Sequence, residues 1–76
     1  MSEEWGMKNI TGQKIKEMRE ALHISQQTIV EMINKLGHNM TSSTISKIET
    51  GKRGVSDMEL RSFSLIYKCA IDEFFS

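Results

Sequence analysis

Between Ser42 and Arg53 the chain gathers short hydroxyls and long cations: Ser42, Ser43, Ser46, Lys47, Lys52 and Arg53. Ile45 and Ile48, three positions apart, would turn inward on a short helix, which leaves Ser42, Ser43, Ser46 and Lys47 on its outer side. Such a surface carries hydrogen-bonding groups, one long cation and no bulky apolar side chain. It suits a polar groove such as the DNA major groove, about 12 Å wide, which admits a helix. A serine hydroxyl can donate to or accept from any base edge, and a lysine reaches the O6 and N7 acceptors of guanine. Gln26 sets an amide donor beside the free backbone N–H groups of a helix start, an arrangement that suits phosphate. Lys52 and Arg53, just past the short helix, add charge for a phosphate backbone.

Four helical segments must hold these groups in place. Ile15, Met18 and Leu22 recur at helical spacing, with Lys14, Lys16, Glu17 and Glu20 toward water, which predicts a first helix over residues 11–22 with Thr11 as its cap. Leu22, His23 and Ile24 break that pattern. Ser25 caps a second helix, about residues 26–36, whose apolar side is Ile29, Val30, Met32, Ile33 and Leu36, and Gly37 stops it. After a loop through His38, Asn39 and Met40, Thr41 or Ser42 caps the third helix, and Gly51 ends it. Ser56 and Glu59 have the spacing of a reciprocal capping box for a fourth helix carrying Leu60, Phe63, Leu65, Ile66 and Tyr67. Residues 71–75 add a final turn or two. Apolar alternation of the strand kind is absent. Residues 1–9 read as a loose arm in which Trp5 packs back on the core, while Met18, Met32 and Met58 read as core filler.

Composition removes whole classes of function. Seventy-six residues hold one small domain, which buries only about 60% of its unfolded surface and is marginally stable on its own. Ten Lys+Arg balance ten Asp+Glu, so net charge gives no general attraction to nucleic acid, and placement of the cations has to supply it. The lone Cys69 rules out an internal disulfide and reads as a small buried apolar residue. His23 and His38 lack ligand partners, so no metal or other cofactor is expected, and no small-molecule ligand is evident. No nucleophile–base arrangement is legible, and an enzyme is not expected. Apolar runs are too short to span a membrane, and the acidic start (Glu3, Glu4) lacks a signal pattern. The expected location is the cytoplasm.

The run "SQQTIVEMINKLGHNMTSSTISKIETGKR" resembles the helix-turn-helix of phage-repressor-type (Cro/C1, Xre-family) DNA-binding proteins. The resemblance extends over about residues 10–75 and rests on "IKEMRE", "SQQTI", "STISKIETGKR" and "IDEFF" occurring in order. It implies an all-α fold, a compact five-helix bundle of the lambda-repressor-like type, with residues 10–76 as the DNA-binding domain. Residues 26–36 would be the scaffold helix and residues 42–50 the recognition helix. By position, Ser42, Ser43 and Lys47 match residues that face bases. Gln26, Ser46, Thr50, Lys52 and Arg53 match residues near phosphate, and Thr41 joins them at the helix start. Arg19 and Glu49 match an ion pair between the first helix and the end of the third.

The chain departs from the family pattern in three places. Val30 stands where alanine is preferred, at the crossing of the two helices, and its bulk should widen that packing. The stretch from Val30 to Ile45 is longer than usual, so the second helix is expected to run longer and the tight turn to become a loop over residues 38–41, which brings His38 and Asn39 within range of phosphate. Val55 replaces a common proline.

The resemblance implies a sequence-specific transcriptional regulator, a repressor that binds double-stranded DNA at a palindromic operator as a homodimer. Half-sites would be separated by about one helical turn, roughly 34 Å. In this family the C-terminal helix often pairs two subunits, which makes Phe74 and Phe75 the expected dimer residues, Phe74 also being the better candidate for packing beside Phe63. The alternative is an antitoxin or adaptor that uses the same fold for protein–protein contact.

Overall fold

Helix α1 (Ile10–Ala21) is followed by α2 (Gln26–Lys35), α3 (Ser42–Glu49) and α4 (Asp57–Tyr67), and the chain closes in a 3-10 turn (Ile71–Phe75). This computed structural model describes residues 10–75. The expected N-terminal arm, residues 1–9 with Trp5, lies outside the described residues.

Local chemistry sets most of the boundaries. Ser25 caps α2 by accepting from the Thr28 backbone N–H, and Ser56 and Glu59 close a reciprocal box at the start of α4. Gly37 (φ +103°) and Gly51 (φ +81°) follow the ends of α2 and α3 in backbone conformations that a Cβ opposes. Helix α1 begins at Ile10, so Thr11 sits inside the first turn and is not the cap expected for it. Helix α2 runs ten residues and stops at Lys35, and the extra length of this segment lies in the connection over residues 36–41. Asn34 braces that connection: its Nδ2 donates to the Met40 carbonyl (2.9 Å) and its Oδ1 accepts from the Met40 N–H (2.8 Å).

The described residues contain four α-helices, where five were expected. Lys68 adopts a left-handed conformation (φ 56°, ψ 48°) that stops α4. Only five residues then enter the terminal turn, too few to sustain α-type hydrogen bonding, so it tightens to 3-10 geometry.

The core is built from Ile15, Ile29, Val30, Ile33, Met40, Ile45, Ile48, Leu60, Phe63, Tyr67 and Phe74. Helix α1 packs on both α3 and the terminal turn, and α2 packs on α3 and α4. Val30 is taken into this core, and Val55 and Cys69 are half-buried against it. Tyr67 stacks on Phe63 (centroids 6.0 Å) and meets Phe74 at 6.3 Å. Its hydroxyl donates to the Ile15 carbonyl at 3.1 Å, and burial pushes the phenol pKa upward. Two sequence expectations change here. Met18 and Met32 do pack against the core, but Met58 is 70% exposed and fills nothing. Phe74 is fully buried, the inward packing expected for it, so it anchors the C-terminus to its own domain and drops out of the exposed dimer pair expected with Phe75. The side chain of Phe75 lies outside the described residues.

Candidate nucleic-acid interface

Helix α3 is short, only eight residues, so what holds it matters more than its own propensity. Ile45 and Ile48 bury its inner side, and Glu49 is buried at its last position. Thr41 and Thr44 cap its start reciprocally: the Thr41 hydroxyl accepts from the Thr44 N–H at 3.2 Å, and the Thr44 hydroxyl accepts from the Thr41 N–H at 3.3 Å. At the other end the Thr50 hydroxyl donates to the Ser46 carbonyl (2.9 Å). The turn beyond folds back, with the Lys52 and Arg53 amides both donating to the Lys47 carbonyl.

Arg19 on α1 reaches the buried end of α3. Its Nε donates to Glu49 Oε2 at 2.7 Å, its Nη2 to Glu49 Oε1 at 3.2 Å, and its Nη1 to the Ile24 carbonyl at 2.8 Å. The hydrogen bond to Glu49 raises the guanidinium pKa further. Gln26 completes the cluster, its Nε2 donating to Glu49 Oε1 at 3.0 Å. One of the two Nε2 hydrogens of this half-buried amide is thereby engaged within the protein.

The next residue, Gln27, turns the other way. Consecutive residues on an α-helix diverge by about 100°. Gln27 is exposed, and its Oε1 accepts from the Ser42 hydroxyl at 2.9 Å. Two adjacent glutamines at the start of α2 thus hold the two ends of α3, Ser42 at the first position and Glu49 at the last. Sequence reading missed Gln27. Its position at a helix start was visible, but its partner lies fifteen residues away, and only the crossing of α2 over α3 brings them together.

The remaining candidates separate into free and engaged groups. Ser43, Ser46, Lys47 and Lys52 are exposed, and their side chains have no hydrogen-bond or ionic partner among the described residues. Arg53 is engaged: it forms two hydrogen bonds to Glu59 (3.1 and 2.8 Å) and one to the Gly54 carbonyl. That pairing holds the Glu59 carboxyl well below its ordinary range, at about 2. His38 turns toward the body of the domain, its Nε2 2.7 Å from the Ser62 hydroxyl, and so ties the α2–α3 connection to α4. Asn39 is exposed.

This geometry places α2 as a scaffold across a short α3 with a polar, cationic outer side. A helix-turn-helix family model matches residues 15–74, from the buried Ile15 of α1 to Phe74 of the terminal turn. The chain belongs to the Cro/C1-type (Xre-like) helix-turn-helix family. No curated protein and no solved structure matched in the corresponding comparisons. In helix-turn-helix terms α3 is the recognition helix and α2 the helix that supports it. At the level of its family the protein is a DNA-binding transcription regulator. No helix among the described residues is long and apolar enough to cross a membrane, and those residues contain no cluster of potential metal ligands.

Proposed function

We propose that this helix-turn-helix protein is a repressor that occupies a palindromic operator as a homodimer, one α3 helix per half-site. The observation that carries this reading is the outer side of α3: Ser43, Ser46 and Lys47 are exposed and unpartnered among the described residues, on a helix whose inner residues and both ends are fixed. A rigid helix with free polar tips enters the major groove without first breaking internal bonds.

In this reading Ser43 and Lys47 contact base edges, and Ser46 and Lys52 lie at phosphate. Thr41 and Thr50 contact the backbone by donating their hydroxyl protons to phosphate oxygens, which for Thr50 means turning its proton away from the Ser46 carbonyl. Arg53 uses three of its five N–H donors on Glu59 and Gly54 and turns the others to phosphate. Gln26 holds Glu49 with one Nε2 hydrogen and has the second for phosphate. Catalysis has no part in this reading, because occupancy of the operator is the whole regulatory act.

Two-fold pairing matches the symmetry of a palindromic site and supplies affinity that one small neutral domain lacks. Because Phe74 is buried in its own domain, pairing does not depend on that ring.

The test is fluorescence anisotropy against a randomised duplex pool, followed by selection of the retained sequences. Enrichment of a two-fold-related motif, with binding that weakens steeply as salt rises, is the expected result. Retention of no duplex sequence would overturn it in favour of an antitoxin or adaptor role.

A further inference from the structure

Ser42 occupies the first position of the recognition helix, yet it is half-buried and its hydroxyl proton is directed to Gln27 Oε1. Gln27 is the more exposed of the two, so at this edge of the recognition surface a groove meets the glutamine amide together with the serine oxygen beneath it. The hydrogen bond fixes the chemistry of the pair. With Oε1 occupied by the serine proton, Nε2 presents two N–H donors. With its proton spent on Gln27, Ser42 Oγ presents lone pairs as an acceptor. A donor set beside an acceptor is thus displayed by two side chains from different helices.

We infer that Gln27, a residue of the supporting helix, is a specificity-determining residue that together with Ser42 reads an adenine of the operator. This rests on the DNA-binding reading above. Among the four bases, adenine alone presents an acceptor (N7) and a donor (N6–H) side by side in the major groove. Guanine presents two acceptors there, cytosine an amino donor, and thymine an acceptor and a methyl group. Gln27 Nε2 donates to N7, and Ser42 Oγ accepts from N6. The mutual hydrogen bond orients both groups before the DNA arrives, so less side-chain freedom is lost on binding. Ser42 alone, with a rotating hydroxyl, would accept any base. Gln27 removes that tolerance.

The experiment compares motifs selected from a randomised duplex pool by the wild-type protein, Gln27→Ala and Gln27→Met, with thermal melts of each. Gln27 is exposed, so both variants should fold, and Gln27→Met keeps the side-chain length without the amide. In both variants one A·T position per half-site is expected to become degenerate while the other positions keep their preference. Replacing that adenine by 7-deazaadenine, which lacks the N7 acceptor, should weaken wild-type binding by about 5- to 20-fold and leave Gln27→Ala unchanged. The inference is overturned if either variant keeps every positional preference, if the lost position is G·C, or if all duplexes weaken equally, which would make Gln27 a phosphate contact. A wild-type protein that enriches no sequence would instead sink the DNA-binding reading beneath it, and the two failures are therefore distinct.

Discussion

Arg19 and Glu49 stand thirty residues apart in the chain and meet through two hydrogen bonds of 2.7 and 3.2 Å, joining α1 to the last residue of the recognition helix. The Glu49 side chain is 2% exposed and that of Arg19 10%, so each charge depends on the other for solvation. Such a pair orients helices more than it stabilises them, but removing one partner strands the other.

Arg19→Ala should therefore lower the melting temperature sharply. Leaving a buried carboxylate unpaired costs about 3–5 kcal/mol, and in a domain of this size each kcal/mol is worth roughly 4–8 °C. Thermal unfolding followed by circular dichroism measures this. A melting point within a few degrees of wild type, accompanied by lost DNA binding, would mean that Arg19 works at the DNA and not in the fold.

Lys47 and Lys52 are both unpaired cations among the described residues but should behave differently. Lys47→Ala is expected to flatten the preference among operator sequences, with a loss of about 1–3 kcal/mol on the cognate site alone. Lys52→Ala should weaken cognate and random duplexes alike and reduce the slope of log affinity against log salt by about 1. Titrations of both variants on two duplexes at several salt concentrations separate these outcomes. Equal losses on both duplexes from both variants would contradict the base-reading role proposed for Lys47.

The Arg53–Glu59 pair predicts a contribution confined to a pH window. The Glu59 carboxyl falls from an ordinary 4.5 to about 2 in the folded state, because Arg53 and the Ser56 amide bond its charged form. A depressed carboxylate stabilises the fold above its unfolded pKa and loses that contribution as pH falls through the folded value. The stability difference between wild type and Glu59→Gln should be constant from neutral pH to about 5 and shrink toward pH 2. Arg53 is 39% exposed, so solvent screening keeps the pair's share below about 1 kcal/mol. Melts across that range read it directly, and a difference that grows with acidity would have the wrong sign.

Phe74→Ala should unfold the domain before it affects pairing. Deleting a fully buried ring costs about 3–5 kcal/mol, a large part of the stability of a chain this small. Sedimentation of the variant at temperatures where it remains folded should give the wild-type oligomeric state. Selective loss of the dimer at unchanged melting temperature would restore this ring to the interface.

Backbone strain makes opposite predictions at two helix ends. Gly37→Ala puts a Cβ on a residue at φ +103°, and about 1–2 kcal/mol of stability should be lost although nothing lies within 4 Å of the new methyl. Lys68 already holds a left-handed conformation, so Lys68→Gly should raise stability by up to about 1 kcal/mol. Denaturant melts of both variants check the pair of signs.

What the sequence determined alone was local. Capping residues at Ser25 and Ser56, the left-handed glycines 37 and 51, and the three-residue spacing of Ile45 and Ile48 each act within a turn or two, and they delimit α2, α3 and α4 without reference to the rest of the chain. The tertiary structure decided which polar groups remain available. Gln26 and Gln27 are the same residue type at adjacent positions, yet one is committed to a buried carboxylate and the other lies over Ser42, because α2 crosses α3 between its two ends. Arg53 and Lys52 are also neighbours, and only the approach of Glu59 engages the first and leaves the second unpaired among the described residues. Phe74 went inward for a similar reason: the Phe63–Tyr67 stack leaves it an apolar place beside α1 and α4. Helix boundaries follow from short-range hydrogen bonds and steric limits, which residue types encode directly. The partner of a long polar side chain depends on how helices cross, and the spacing of residues along one chain does not specify that.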